Sequence, residues 1–97
     1  MKRWFRAALI LPDRVVDDGL LGYESGRITD VWDLADPAAP PVPPEAEVVE
    51  RGYLAPGYLD IHVHGGGGGD FMDADPEAVA AITATHARYG TVGLLAT

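Results

Sequence analysis

Between Pro56-Gly57 and an unbroken run of five glycines, Gly65 to Gly69, stand the residues Tyr58-Leu59-Asp60-Ile61-His62-Val63-His64. A segment this short, bounded by turn formers on both sides and rich in β-branched and aromatic residues, reads as a strand. Side chains alternate across a strand, so Leu59, Ile61 and Val63 form one apolar face suited to packing against helices. Asp60, His62 and His64 share the other. Histidines two residues apart on one face have Cβ atoms about 6–7 Å apart. Their imidazoles can then converge on one ion at about 2.0–2.1 Å per nitrogen. An isolated His-x-His pair can also be two polar residues beside a loop. Here the apolar outer face, the preceding Pro-Gly and the glycine exit favour ligation. Two ligands do not complete a zinc or iron site, so one or two more must come from elsewhere.

The residues that follow set the fold class. Asp75 is placed as a helix N-cap, with Pro76 at the first helical position and Glu77 near the positive helix end. Val79, Ile82 and His86 recur at spacings of three and four, which predicts one helical face with His86 a buried or half-buried structural residue. Gly90 is a natural stop, and Thr91 to Ala96 is a second short apolar strand. Strand, helix, strand is a βαβ unit, with parallel strands and a right-handed crossover. The glycine run places both histidines at the C-terminal end of their strand, the face where barrel enzymes keep their active sites.

The first half reads differently. Phe5–Leu11 is an apolar strand ended by Pro12-Asp13, while Gly19–Glu24 and Arg27–Trp32 flank a hairpin turn at Ser25-Gly26. Asp36–Pro44 carries five prolines, which excludes helix and central strand. A polyproline ligand is one reading of it, and a surface loop the plainer one. Glu47–Tyr53 resumes an extended pattern. The chain thus divides near Ala55 into a small β module and the opening of an α/β fold. Two parallel strands and one helix leave sheet faces and edges open, and a full (β/α)₈ barrel needs about 250 residues. The expectation is a chain that is cut off.

Composition narrows the function. Fifteen acidic against seven basic residues give a formal charge of −8, which repels phosphate backbones and argues against nucleic-acid binding. Cysteine is absent, so disulfides and thiolate ligands are excluded. No signal-peptide core or 18-residue apolar span is present, and the expected location is cytoplasmic, with no membrane partner.

Leu54-Ala55-Pro56-Gly57-Tyr58-Leu59-Asp60-Ile61-His62-Val63-His64 resembles the signature that opens the barrel of the amidohydrolase superfamily. Within it, His64–Asp73 is similar to the segment typical of N-acetylglucosamine-6-phosphate deacetylases. The likeness continues through Pro76–Val79, His86–Thr91 and Leu94–Thr97. Upstream, Asp18-Gly19 and Glu24–Ile28 resemble that family's first β-sandwich strands. Five consecutive glycines exceed the usual pattern, and Ala96 stands where a proline is common.

The resemblance implies an α/β fold. Residues 1–54 would be a partial β-sandwich, and residues 55–97 the first β-α-β of a (β/α)₈ barrel, truncated. It implies metal-dependent hydrolysis of the acetamide of N-acetylglucosamine-6-phosphate to glucosamine-6-phosphate and acetate. His62 and His64 would be metal ligands to a divalent ion, zinc or iron, one or two per complete site. Some family members replace these histidines and keep one metal; others retain them and can hold two. The general-base aspartate and the remaining ligands are expected beyond Thr97, so no catalytic residue is placed within this chain. The partner would be a small amino-sugar phosphate, and the full-length form a homodimer. A dihydroorotase-like or D-aminoacylase-like amidohydrolase is the first rival, opposed by Asp70-Phe71-Met72-Asp73. A non-catalytic remnant is the second.

Other residues have weaker claims. A phosphate cradle of backbone N–H groups is one reading of Gly65–Gly69; a flexible loop passing close to the site is the plainer one. Asp60 is expected to orient neighbours by hydrogen bonds rather than ligate. Asp70 and Asp73 suit loop or capping roles, and Trp4 and Trp32 are expected to fill the core of the β module.

Overall fold

The computed structural model describes residues 1–97, which form two compact units, Met1–Pro56 and Gly57–Thr97. In the first unit, β1 (Arg3–Ile10), β2 (Val15–Glu24), β3 (Arg27–Asp33) and β4 (Glu47–Leu54) make one sheet in the order β3-β2-β1-β4. The β1–β2 and β2–β3 pairs are antiparallel, and β1–β4 is parallel. Ser25 and Gly26 both take positive φ (51° and 74°). That turn matches the right-handed twist of the two strands it joins. The proline segment remains a connection without regular structure, held by short turns such as Ala39 N–H to Asp36 O (3.0 Å).

Strand alternation sorts the sheet's faces. Ala7, Leu9 and Val16 are buried, with Leu11, Leu21, Val49 and Leu54 partly buried against them. The same side carries an apolar concavity of about 410 Å³ lined by residues that include Phe5, Leu21, Ile28 and Val31. This unit is therefore one sheet layer, and the second layer of a sandwich is not formed by its own strands. The two tryptophans depart from expectation. They are half-buried, and the fully buried side chains are Leu9, Leu20, Ile82 and Val16. Trp4 lies across Gly22, under the Lys2 ammonium at 4.5 Å from its ring centre. Trp32 pairs with Leu20 across β2 and β3. Both act as lids on the sheet's flank, because a single layer has no interior wide enough to enclose an indole.

The second unit follows the βαβ pattern. β5 (Tyr58–Val63) pairs in parallel with β8 (Thr91–Ala96), and α1 (Pro76–Ala87) lies between them in sequence. Asp75 Oδ1 accepts from Glu77 N–H (3.1 Å), capping the helix as its sequence predicts. Gly90 takes φ +94° just past the helix end. On β5 only Val63 is buried, whereas Leu59 and Ile61 are about three-quarters exposed. One helix cannot cover a whole strand face. On α1 the buried residue is Ile82, and Val79 stays 40% exposed. The inward face is turned toward Ala78, Thr85 and His86 instead. The unit holds the expected strand, helix and parallel strand, and no closed barrel is formed by these elements.

Candidate metal centre

The exit of β5 is more ordered than a glycine run suggests. Gly65–Gly66 (β6) and Gly69–Asp70 (β7) pair antiparallel as a minimal hairpin. Gly67 and Gly68 make its turn, with φ of +60° and +88°. These values are accessible to glycine and strained for most other residues. A side chain on Gly67 would also collide with the Thr85 hydroxyl and approach Ala81 O at 3.1 Å. The hairpin is therefore seated against α1. The expectation of a flexible loop gives way to a packed one, because glycine here permits contact rather than motion.

Below the hairpin, a 3₁₀ turn at Phe71–Asp73 is closed by a reciprocal capping box. Asp70 Oδ1 accepts from Met72 N–H (2.8 Å), and Asp73 Oδ2 accepts from Asp70 N–H (3.0 Å). Both aspartates are committed to the backbone, as their positions before a helix predict. Phe71 N–H donates to His64 O (2.9 Å), which fixes the backbone of His64 at the base of the hairpin.

His62 and His64 meet at this base. Their Nε2 atoms are 3.1 Å apart, with ring centres 4.9 Å apart and planes at 74°. At this separation the two ring nitrogens are within hydrogen-bond distance, the tautomers deciding which of them donates. Two nitrogens each about 2.0–2.1 Å from one ion at the tetrahedral angle would be separated by about 3.3 Å. The observed pair thus fits a shared ion with little movement of either ring. Both side chains are solvent-accessible. Asp60 is half-buried, and its Oδ1 accepts from the backbone N–H of His62 (3.1 Å). It orients the strand end rather than joining the pair. No third His, Cys, Asp or Glu gathers with the two histidines.

His86 is the residue whose part was missed. It is half-buried on α1, and its Nε2 donates to Gly65 O (3.0 Å), one residue beyond His64. The spacing assigns it to the inner helical face but cannot say which backbone it meets. The signal available is the small-residue row Ala78, Ala81 and Thr85, a helix surface smooth enough for a glycine backbone to lie against.

The chain is similar to known sugar-phosphate deacetylases. The chain is 31% identical over 90 residues, 93% of its length, to an N-acetylglucosamine-6-phosphate deacetylase from Bacillus subtilis (strain 168). It is 37% identical over 60 residues to an N-acetylgalactosamine-6-phosphate deacetylase from Escherichia coli O157:H7. Its fold superposes, with a TM-score of 0.75 and 28% identity over 98% of the chain, on a mutant N-acetyl-D-glucosamine-6-phosphate deacetylase from Mycobacterium smegmatis. That structure is a complex with N-acetyl-D-glucosamine-6-phosphate. The chain spans 22% and 16% of the two curated relatives and 24% of the solved chain. No protein-family model matches it. No helix is long and apolar enough to cross a membrane.

Proposed function

We propose that this chain is the opening segment of an N-acetylglucosamine-6-phosphate deacetylase and supplies two of the ligands of its metal site. The sequence and fold relatives support the deacetylase reading. The observation that carries the site is the convergence of the His62 and His64 Nε2 atoms at the exit of β5. In this reading residues 1–56 are one layer of a β-sandwich, and residues 57–97 are the first β-α-β of a (β/α)₈ barrel.

A divalent ion bound here supplies Lewis acidity toward the acetamide carbonyl and makes water nucleophilic near neutral pH. The chain's own residues do the positioning. His62 and His64 would present their Nε2 atoms to the ion from one face of β5. Asp60 holds the strand end through the His62 N–H, and the Phe71 N–H holds His64 O. In the reaction the amide C–N bond breaks, a C–O bond forms with water, and acetate and an amino-sugar phosphate leave. The proton-transferring aspartate would be contributed by other parts of the complete protein.

The test is acetate release from N-acetylglucosamine-6-phosphate by a complete protein carrying this segment. Wild type should turn over, and His62→Ala or His64→Ala should lower kcat/KM by about 10³-fold, the loss of several kcal/mol of transition-state stabilisation. Activity on N-acetylgalactosamine-6-phosphate alone would move the assignment to the second relative's substrate. Undiminished activity in both alanine variants would refute the site.

A further inference from the structure

We propose that His86 is a positioning residue for the metal half-site, locking the glycine hairpin to α1 so that His64 stays converged on His62. The inference rests on the reading of His62 and His64 as ligands, and goes beyond it by naming what holds them in place.

His64 closes the strand side of the site and is followed only by two-residue strands, Gly65–Gly66 paired with Gly69–Asp70. A glycine backbone loses more conformational entropy on ordering than any other, so such a hairpin does not hold itself. Three contacts restrain it. The Phe71 N–H bond to His64 O closes its base. Its turn lies against Ala81 and Thr85, where Gly67 leaves no room for a side chain. His86 supplies the side-chain hydrogen bond that ties the hairpin backbone to α1, Nε2–H to Gly65 O, across 21 residues of sequence. Gly66 is fitted to the same ring: a Cβ there would sit 3.0 Å from His86 Nε2. The hairpin is thus cut to admit this imidazole, and the bond falls on the residue next to His64. Outer residues that orient a metal ligand typically change affinity by about 10–100-fold when removed.

The experiment measures metal affinity of the complete protein by chelator competition with zinc, together with the thermal midpoint of the metal-free form. His86→Phe keeps an aromatic ring and removes the donor; it should weaken zinc binding by about 10–100-fold while the metal-free midpoint moves little. His86→Gln retains an N–H donor and should recover most of that affinity. Gly66→Ala, which leaves His86 in place and crowds its ring, should weaken zinc in the same direction. If His86→Phe fails to fold, the Gln and Gly66→Ala pair carries the test. Wild-type affinity in the Phe variant, or equal losses in Phe and Gln that track a lowered metal-free midpoint, would overturn the positioning role. A His64→Ala control separates the two claims. If it keeps its zinc, the ligand reading has failed; if it loses zinc while His86→Phe does not, only the positioning role has failed.

Discussion

At the residue scale, the second unit depends on how few atoms hold its key groups. Asp60 exemplifies this: one carboxylate oxygen anchors the backbone N–H of His62 at 3.1 Å. Asp60→Ala should cost about 1 kcal/mol, the net worth of one such bond, read as a shift in denaturation midpoint. Asp60→Asn, which keeps an acceptor, should cost less. In the first unit the comparable residue is Asp18, which accepts two bonds from Arg6, at 2.8 Å from Nε and 2.7 Å from Nη2. That hydrogen bonding, offset in part by desolvation, holds the Asp18 carboxyl below its ordinary value. A depressed folded pKa means the stabilisation is present above the unfolded carboxylate pKa and is lost as pH falls through the folded one. The stability gap between wild type and Asp18→Asn should therefore exist at neutral pH and close in the acid range below the ordinary aspartate pKa. A gap that persists to the most acidic measurable pH would contradict this.

At the scale of elements, much of the chain was legible because its punctuation is local. The Ser25-Gly26 turn, the Asp75 cap, Pro76 and the Gly90 stop each act within a few residues, and β5, α1 and β8 lie where those signals put them. Replacing Asp75 by Ala should destabilise the helix by about 1 kcal/mol. What was not legible depends on distant partners. The β6–β7 hairpin looks like featureless glycine until α1 is seen beneath it. Val79 has the right spacing for a buried face yet remains 40% exposed, since the glycine loop rather than a neighbouring strand decides which helix side turns inward. The meeting of His62 and His64 was legible for the opposite reason: strand alternation alone puts them on one face. Their retention by His86 was not, because it links residues 21 apart in sequence.

For the molecule as a whole, the pattern is of well-formed elements with uncovered faces. Fully buried Leu20 and Leu9 make the first unit sensitive, and Leu20→Ala should cost about 2–5 kcal/mol. At the same time Ile28, Val31, Val48, Leu59, Ile61 and Leu95 are exposed. Apolar surface on open strand edges promotes association. The 97-residue chain by itself should self-associate in sedimentation experiments at micromolar concentration and release no acetate from N-acetylglucosamine-6-phosphate. A stable, monodisperse monomer would show that these faces need no cover. The net charge of −8 opposes association without preventing it, since it does not mask the apolar patches.

Whether His62 and His64 hold a divalent metal ion is read directly from metal content. A complete protein carrying this segment should purify with bound divalent metal. The His62→Ala/His64→Ala double variant, folded by circular dichroism, should lose at least the equivalent that these two nitrogens share. Metal content unchanged from wild type in that folded double variant would contradict the account.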